Sequence, residues 1–182
     1  MTGNKRVLIG TVGYFNLRDY SIGPNLLPKL KNMDWPPGIE VDELNWGPIA
    51  VVQNFQSLAA PYQKVVILTA RTANRKPGTI TLRRWSGGLP DAENIQARVS
   101  EAVTGVISVD NLLIIGEHFQ IWPNEVYIID VEPGIEEMGD HFTPEVEAVV
   151  PRVLEMVRRV ALEESQSLPP WEMLNGNELK II

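Results

Sequence analysis

Residues 7–23 read VLIGTVGYFNLRDYSIG: Val7-Leu8-Ile9 runs into Gly10 and Gly13, a short polar loop follows, and Ile22-Gly23-Pro24 leads into Leu26-Leu27. A buried strand that stops at glycines and hands over to a helix is the first βα unit of an α/β domain. In such sheets ligands bind in the crevice beyond the carboxyl ends of the strands. Any site in this chain is therefore expected beside Asp19 and Tyr20.

The rest of the composition narrows the class. At 182 residues the chain is long enough for one domain with a full core. Hydrophobic residues make up 44% and charged residues 21%, ordinary values for a globular protein. A net charge of -7 argues against nucleic-acid or anionic-membrane partners. The absence of cysteine removes disulfides, thiolate metal sites and a cysteine nucleophile. The apolar run after MTGNKR is too short for a signal peptide, and no run approaches a membrane span. The expectation is a cytoplasmic protein.

Downstream, strands alternate with helices. A helix is expected from about Ser21, with Pro24 in its first turn; Pro28 fits its interior only with a bend. Residues 39–44 alternate apolar and acidic side chains, the mark of a strand near a sheet edge. Asn45-Trp46-Gly47-Pro48 then turns into a short amphipathic helix over 49–58. Lys64 to Leu68 reads as a strand covered on both faces. A basic loop, 72–78, precedes a strand over 79–85. Helices are expected over 90–103 and 108–118, and a last strand over 125–131. Thr143 as N-cap and Pro144 open a final helix with apolar residues from Val146 to Ala161 at helical spacing, kinked at Pro151.

This pattern predicts an α/β three-layer sandwich: a mostly parallel, twisted, five-stranded sheet with helices on both faces. Residues 1–164 form the domain, and 165–182 an irregular tail whose Trp171, Leu174, Ile181 and Ile182 could dock on it or on a partner.

Several features have a plain structural reading beside a functional one. Asp19, just ahead of a helix, is placed to cap it or a neighbouring element. Arg71, Arg75, Lys76, Arg83 and Arg84 read as a solvated face, or as a contact for an acidic partner. The two histidines, His118 and His141, follow Glu117 and Asp140. Asp140 and His141 with Glu136 and Glu137 could hold a divalent cation loosely, or simply favour a helix amino terminus. The glycine spacing fits neither Gly-x-Gly-x-x-Gly nor a Walker motif, and no Gly-x-Ser-x-Gly elbow is present.

Taken together, the ordered motifs resemble the hydrogenase maturation endopeptidases, which remove a C-terminal peptide from the large subunit of nickel-iron hydrogenases. That family opens with a strand, Gly-x-Gly-Asn, and an acidic pair before Gly-x-Gly or Ile-Gly. The same frame here runs from Val12-Gly13 through Asn16 and Asp19-Tyr20 to Ile22-Gly23. Asn45-Trp46-Gly47, Pro77-Gly78-Thr79 and Phe142-Thr143-Pro144-Glu145-Val146 extend the resemblance, which covers about Arg6 to Ala161.

The resemblance implies a nickel site of a Glu, an Asp and a His. In this chain those positions fall on Tyr20, Thr69 and, to within a residue or two, Thr104. A neutral phenol and threonine hydroxyls are poor nickel donors. Asp19 survives from the acidic pair, and Glu101 lies one helical turn from Thr104.

Two functions follow as expectations. In one, the chain is a metal-free relative that binds a protein client in a cleft between Asp19, Tyr20, Asn45, Gly47, Thr69 and Thr104, with no cofactor and no assigned catalytic residue. The client would be a hydrogenase large subunit or another metalloenzyme subunit. In the other, it is an active maturation endopeptidase whose metal is held by the client or by substitute ligands such as Asp19. A small-molecule pocket lined by Tyr20 and Trp46 is a further possibility.

Overall fold

A computed structural model describes residues 5–179. The apolar runs become a six-stranded sheet: β1 (Val7–Thr11), β2 (Ile39–Glu43), β3 (Lys64–Ala70), β4 (Ile80–Trp85), β5 (Glu125–Val131) and β6 (Glu172–Leu174). Their spatial order is β2-β1-β3-β5-β4-β6. The β2, β1, β3 and β5 strands are mutually parallel, and β4 runs antiparallel to β5. The fold expectation holds, with one strand more than the sequence suggested.

Alternation along each strand splits the apolar residues between two cores. Val7, Ile9, Val66, Leu68, Tyr127 and Ile129 pack with helices α1 (Ile22–Lys31) and α6 (Val150–Leu162) on one face. Leu8, Val65, Ile67, Val126 and Ile128 pack on the other with α2 (Pro48–Ser57) and α4 (Val109–His118). Helix α3 (Ala92–Val103) lies against α4.

The chain turns at the two places where the sequence was least informative. From β3 it passes through the 71–79 loop without an intervening helix, so β4 runs back along the sheet rather than crossing over. The final helix is in fact two. A single turn, α5 (Pro144–Glu147), ends before Val149, and α6 starts afresh with Pro151 in its first turn. Proline in a first turn removes a donor that had no helical partner, so Pro151 opens a helix instead of kinking one.

The sixth strand comes from the segment expected to be irregular. Residues 172–174 pair in parallel with β4. Glu172 takes Arg83 at 2.7 Å and both oxygens of its carboxylate take Arg75, at 2.6 and 2.8 Å. Leu168, Leu174 and Leu179 are buried, and the Leu179 carbonyl accepts two bonds from buried Arg98. Trp171 packs edge-on to Tyr127. The segment could not form a strand by itself; it becomes one because two arginines and a hydrophobic face receive it. Ile181 and Ile182 lie outside the described residues. Among the described residues no helix is long and apolar enough to cross a membrane.

Candidate functional site

The connections leaving β1 and β3 move to opposite sides in the strand order, so the crevice opens above their carboxyl ends. Close approach is what the glycines of the opening motif provide. A Cβ on Gly23 would lie 2.6 Å from the Val12 carbonyl oxygen and 3.0 Å from that of Leu68, so only glycine lets α1 start this near the sheet. Gly47 sits at a φ of 93° ahead of Pro48, a left-handed conformation that turns the chain into α2.

Two cavities share a wall of Val12, Ile107 and Ser108. The first, about 240 Å³, is lined by Asn45, Trp46, Gly47 and Val106 among others. The second, about 220 Å³, is lined by Tyr14, Tyr20, Thr69, Arg71, Thr72 and Asp110. Trp46, Val103 and Val106 leave an apolar rim exposed on one side.

Four of the six residues expected in the cleft line these cavities: Tyr20 and Thr69 the second, Asn45 and Gly47 the first. The Tyr20 hydroxyl is 3.0 Å from Thr72 Oγ1. Thr69 is buried and donates to the Ala70 carbonyl. Asn45 Oδ1 accepts from the Gly13 amide at 3.1 Å, while its buried Nδ2 has no partner among the described residues.

Asp19 and Thr104 line neither cavity. Asp19 is buried and accepts from Gly134 N at 2.8 Å, Thr143 N at 2.7 Å and Thr143 Oγ1 at 2.7 Å. Its carboxylate ties the 134–143 loop to the turn just ahead of α1, the capping reading in a different form. Thr143, expected to cap the helix with its own hydroxyl, gives that hydroxyl to Asp19. Thr104 is exposed at the carboxyl end of α3, and its hydroxyl donates to the Glu101 carbonyl at 2.8 Å. It follows the last turn of the helix rather than facing the sheet.

Two acids in this region escaped the sequence reading. Asp110, in the first turn of α4, meets Arg71 at 3.3 Å through Oδ2, and its buried Oδ1 has no partner among the described residues. An acid in a first helical turn ordinarily reads as a complement to the helix dipole, and nothing in the sequence points from it to Arg71. Buried Glu132 accepts the Ala73 amide with both oxygens, at 3.1 and 2.8 Å, and so shapes the loop that carries Thr72.

Four of the five residues of the basic cluster are engaged within the fold, and Lys76 is exposed. Arg71 pairs with Asp110, Arg75 with Glu172, and Arg83 with Asp130 and Glu172, while Arg84 lies over the Tyr127 and Trp171 rings.

Solved structures of hydrogenase maturation enzymes share this arrangement of elements. The hydrogenase maturating endopeptidase HybD from E. coli superposes with a TM-score of 0.62 at 24% identity, over 84% of this chain and 89% of that one. The fold is theirs. The hydrogenase 2 maturation peptidase from a Thaumarchaeota archaeon gives 0.57 at 21% identity, over 87% of this chain and 100% of that chain. The NiFe hydrogenase maturation protease HycI from Thermococcus kodakarensis gives 0.61 at 17% identity, over 89% and 96%. No protein-family model matches the chain, and no curated protein matches it.

A nickel site needs nitrogen or carboxylate donors that converge. The positions to which the sequence resemblance points carry a phenol that hydrogen-bonds Thr72, a threonine bonded to its own strand, and a threonine outside the cavities. Glu101 is held by Asn111 at 3.1 Å, and Asp19 is saturated as described. Among the described residues no three His, Cys, Asp or Glu side chains gather as a metal site. Tyr20, Thr69 and Thr104 by themselves do not supply such a donor set.

Proposed function

We propose that this chain is a relative of the hydrogenase maturation proteases that binds a protein client in the crevice without nickel-dependent cleavage. The observation that carries the reading is the donor set: where the resemblance expects Glu, Asp and His, the crevice has Tyr20 and Thr69, with Thr104 outside it. What remains suits holding a polypeptide. The Tyr20 hydroxyl and Asn45 amide supply polar contacts, and Trp46 and Val106 supply an apolar rim. A maturation client would be a hydrogenase large subunit or another metalloenzyme subunit awaiting its metal. One observation favours a second reading, cleavage with metal held by the client or by substitute ligands: Asp110 Oδ1 is a carboxylate oxygen left without a partner in the same crevice.

Incubation with an unprocessed hydrogenase large subunit separates the two readings. The expected result is a complex that withstands gel filtration, is weakened by Trp46→Ala, and leaves the precursor mass unchanged with nickel present. Release of a C-terminal peptide, seen by mass spectrometry and dependent on nickel, would establish the second reading instead.

A further inference from the structure

The loop over residues 14–18 and the loop over residues 134–143 meet and form a crest. Gly139 N donates to the Asn16 carbonyl at 2.9 Å, Arg18 N donates to the Gly139 carbonyl at 2.9 Å, and Leu17 and Gly139 are bridged in parallel. Asp19 pins the second loop at both ends through Gly134 and Thr143. Asn16 and Arg18 have φ values of 57° and 45°, sparsely populated conformations that persist only where surrounding bonds impose them. These two loops carry large apolar side chains that stand in solvent: Phe15 is 59% exposed, Ile135 77% and Met138 78%. Single exposed apolar residues need no explanation, but a group on two bonded loops marks an interaction surface.

The charge around them is one-sided. Glu136, Glu137 and Asp140 are exposed on the same loop, and Arg18, 2.6 Å from Glu137, is the guanidinium that faces them. A second copy of this chain meeting this crest with its own would set acid against acid. Anionic lipid headgroups would be repelled as well. We propose that this crest docks a cationic amphipathic segment of a partner protein, whose apolar face covers Phe15, Ile135 and Met138 while its lysines or arginines meet Glu136, Glu137 and Asp140. This surface lies outside the two cavities, so the inference stands apart from whether the crevice holds or cleaves a client.

The test uses the full chain and a fluorescent synthetic helix with one leucine face and one lysine face, followed by anisotropy. Saturable binding is expected, weakened about tenfold or more by the double substitution Ile135→Ser/Met138→Ser, as for central anchors of an interface. Glu136→Gln/Asp140→Asn should weaken it and flatten its salt dependence. Met173→Ser, on β6 and 58% exposed, should leave binding unchanged. The proposal is overturned if the helix does not bind or if Met173→Ser weakens binding as much as the crest pair does. It is equally overturned by equal affinity for a leucine–glutamate helix, by tighter binding to phosphatidylcholine vesicles than to the peptide, or by crest variants that abolish a dimer seen in sedimentation.

Discussion

Arg83→Met is expected to destabilise the protein by about 3–5 kcal/mol, the cost of stranding a buried charge. Arg83 stands on β4 with its side chain almost wholly buried, and its Nε donates to Asp130 on neighbouring β5. Its Nη1 reaches Glu172 of β6. One guanidinium thus ties three strands. Methionine fills a similar volume but leaves Asp130 in an apolar sheet without its cation. Burial already pushes the Asp130 carboxyl upward, with Arg83 pulling it back. Removing Arg83 raises it further, and the sign of the pH dependence follows. An acid whose folded pKa is raised destabilises the fold above that value and is relieved as pH falls towards its ordinary one. The deficit of the variant relative to wild type should therefore be smaller at about pH 4, the ordinary range of an Asp carboxyl, than at about pH 7. Urea titrations at both pH values measure it. A deficit below about 1 kcal/mol, insensitive to pH, would mean that the pair behaves like a solvated surface bridge.

Asp19→Ala is expected to cost about 3 kcal/mol or more, because hydrogen bonds to a charged acceptor contribute about 1.5–3 kcal/mol each and the three here are coupled. The substitution orphans the Gly134 and Thr143 amides and the Thr143 hydroxyl. Amide exchange should quicken at Gly134 and Thr143 while the β1–β3 amides keep their protection. Asp19 survives from the acidic pair of the opening motif, so its role separates architecture from chemistry. Unchanged stability together with lost client binding would move Asp19 from the scaffold to the site.

The fold was legible because its signals are local. Val7-Leu8-Ile9 ending at glycine, the covered run Lys64–Leu68 and the spacing from Val146 to Ala161 each announce an element through periodicity alone. The structure adds side-chain caps that were not read from the sequence, Asp91 on α3 and Ser108 on α4. What failed to show were features that depend on distant partners. The β6 strand is three residues long and exists through Arg75 and Arg83, far away in sequence. Pro151 read as a kink because the turn at 148–149, which makes it the start of a new helix, has no signal of its own in the apolar spacing. For the site, Tyr20, Thr69, Asn45 and Gly47 could be placed because the ends of strands lead to crevices. Thr104 was misplaced because a helix end gives no indication of its facing direction to within a residue or two. Asp110 was missed because its partner Arg71 is reached only through the fold.

The most direct measurement is a calorimetric titration of nickel into the tag-free protein. Tyr20, Thr69 and Thr104 are poor donors and Asp19 is fully engaged by Gly134 and Thr143, so the expected trace is the heat of dilution alone. A saturating one-to-one isotherm that vanishes in Asp110→Asn would contradict the account and place a rebuilt metal site in the crevice.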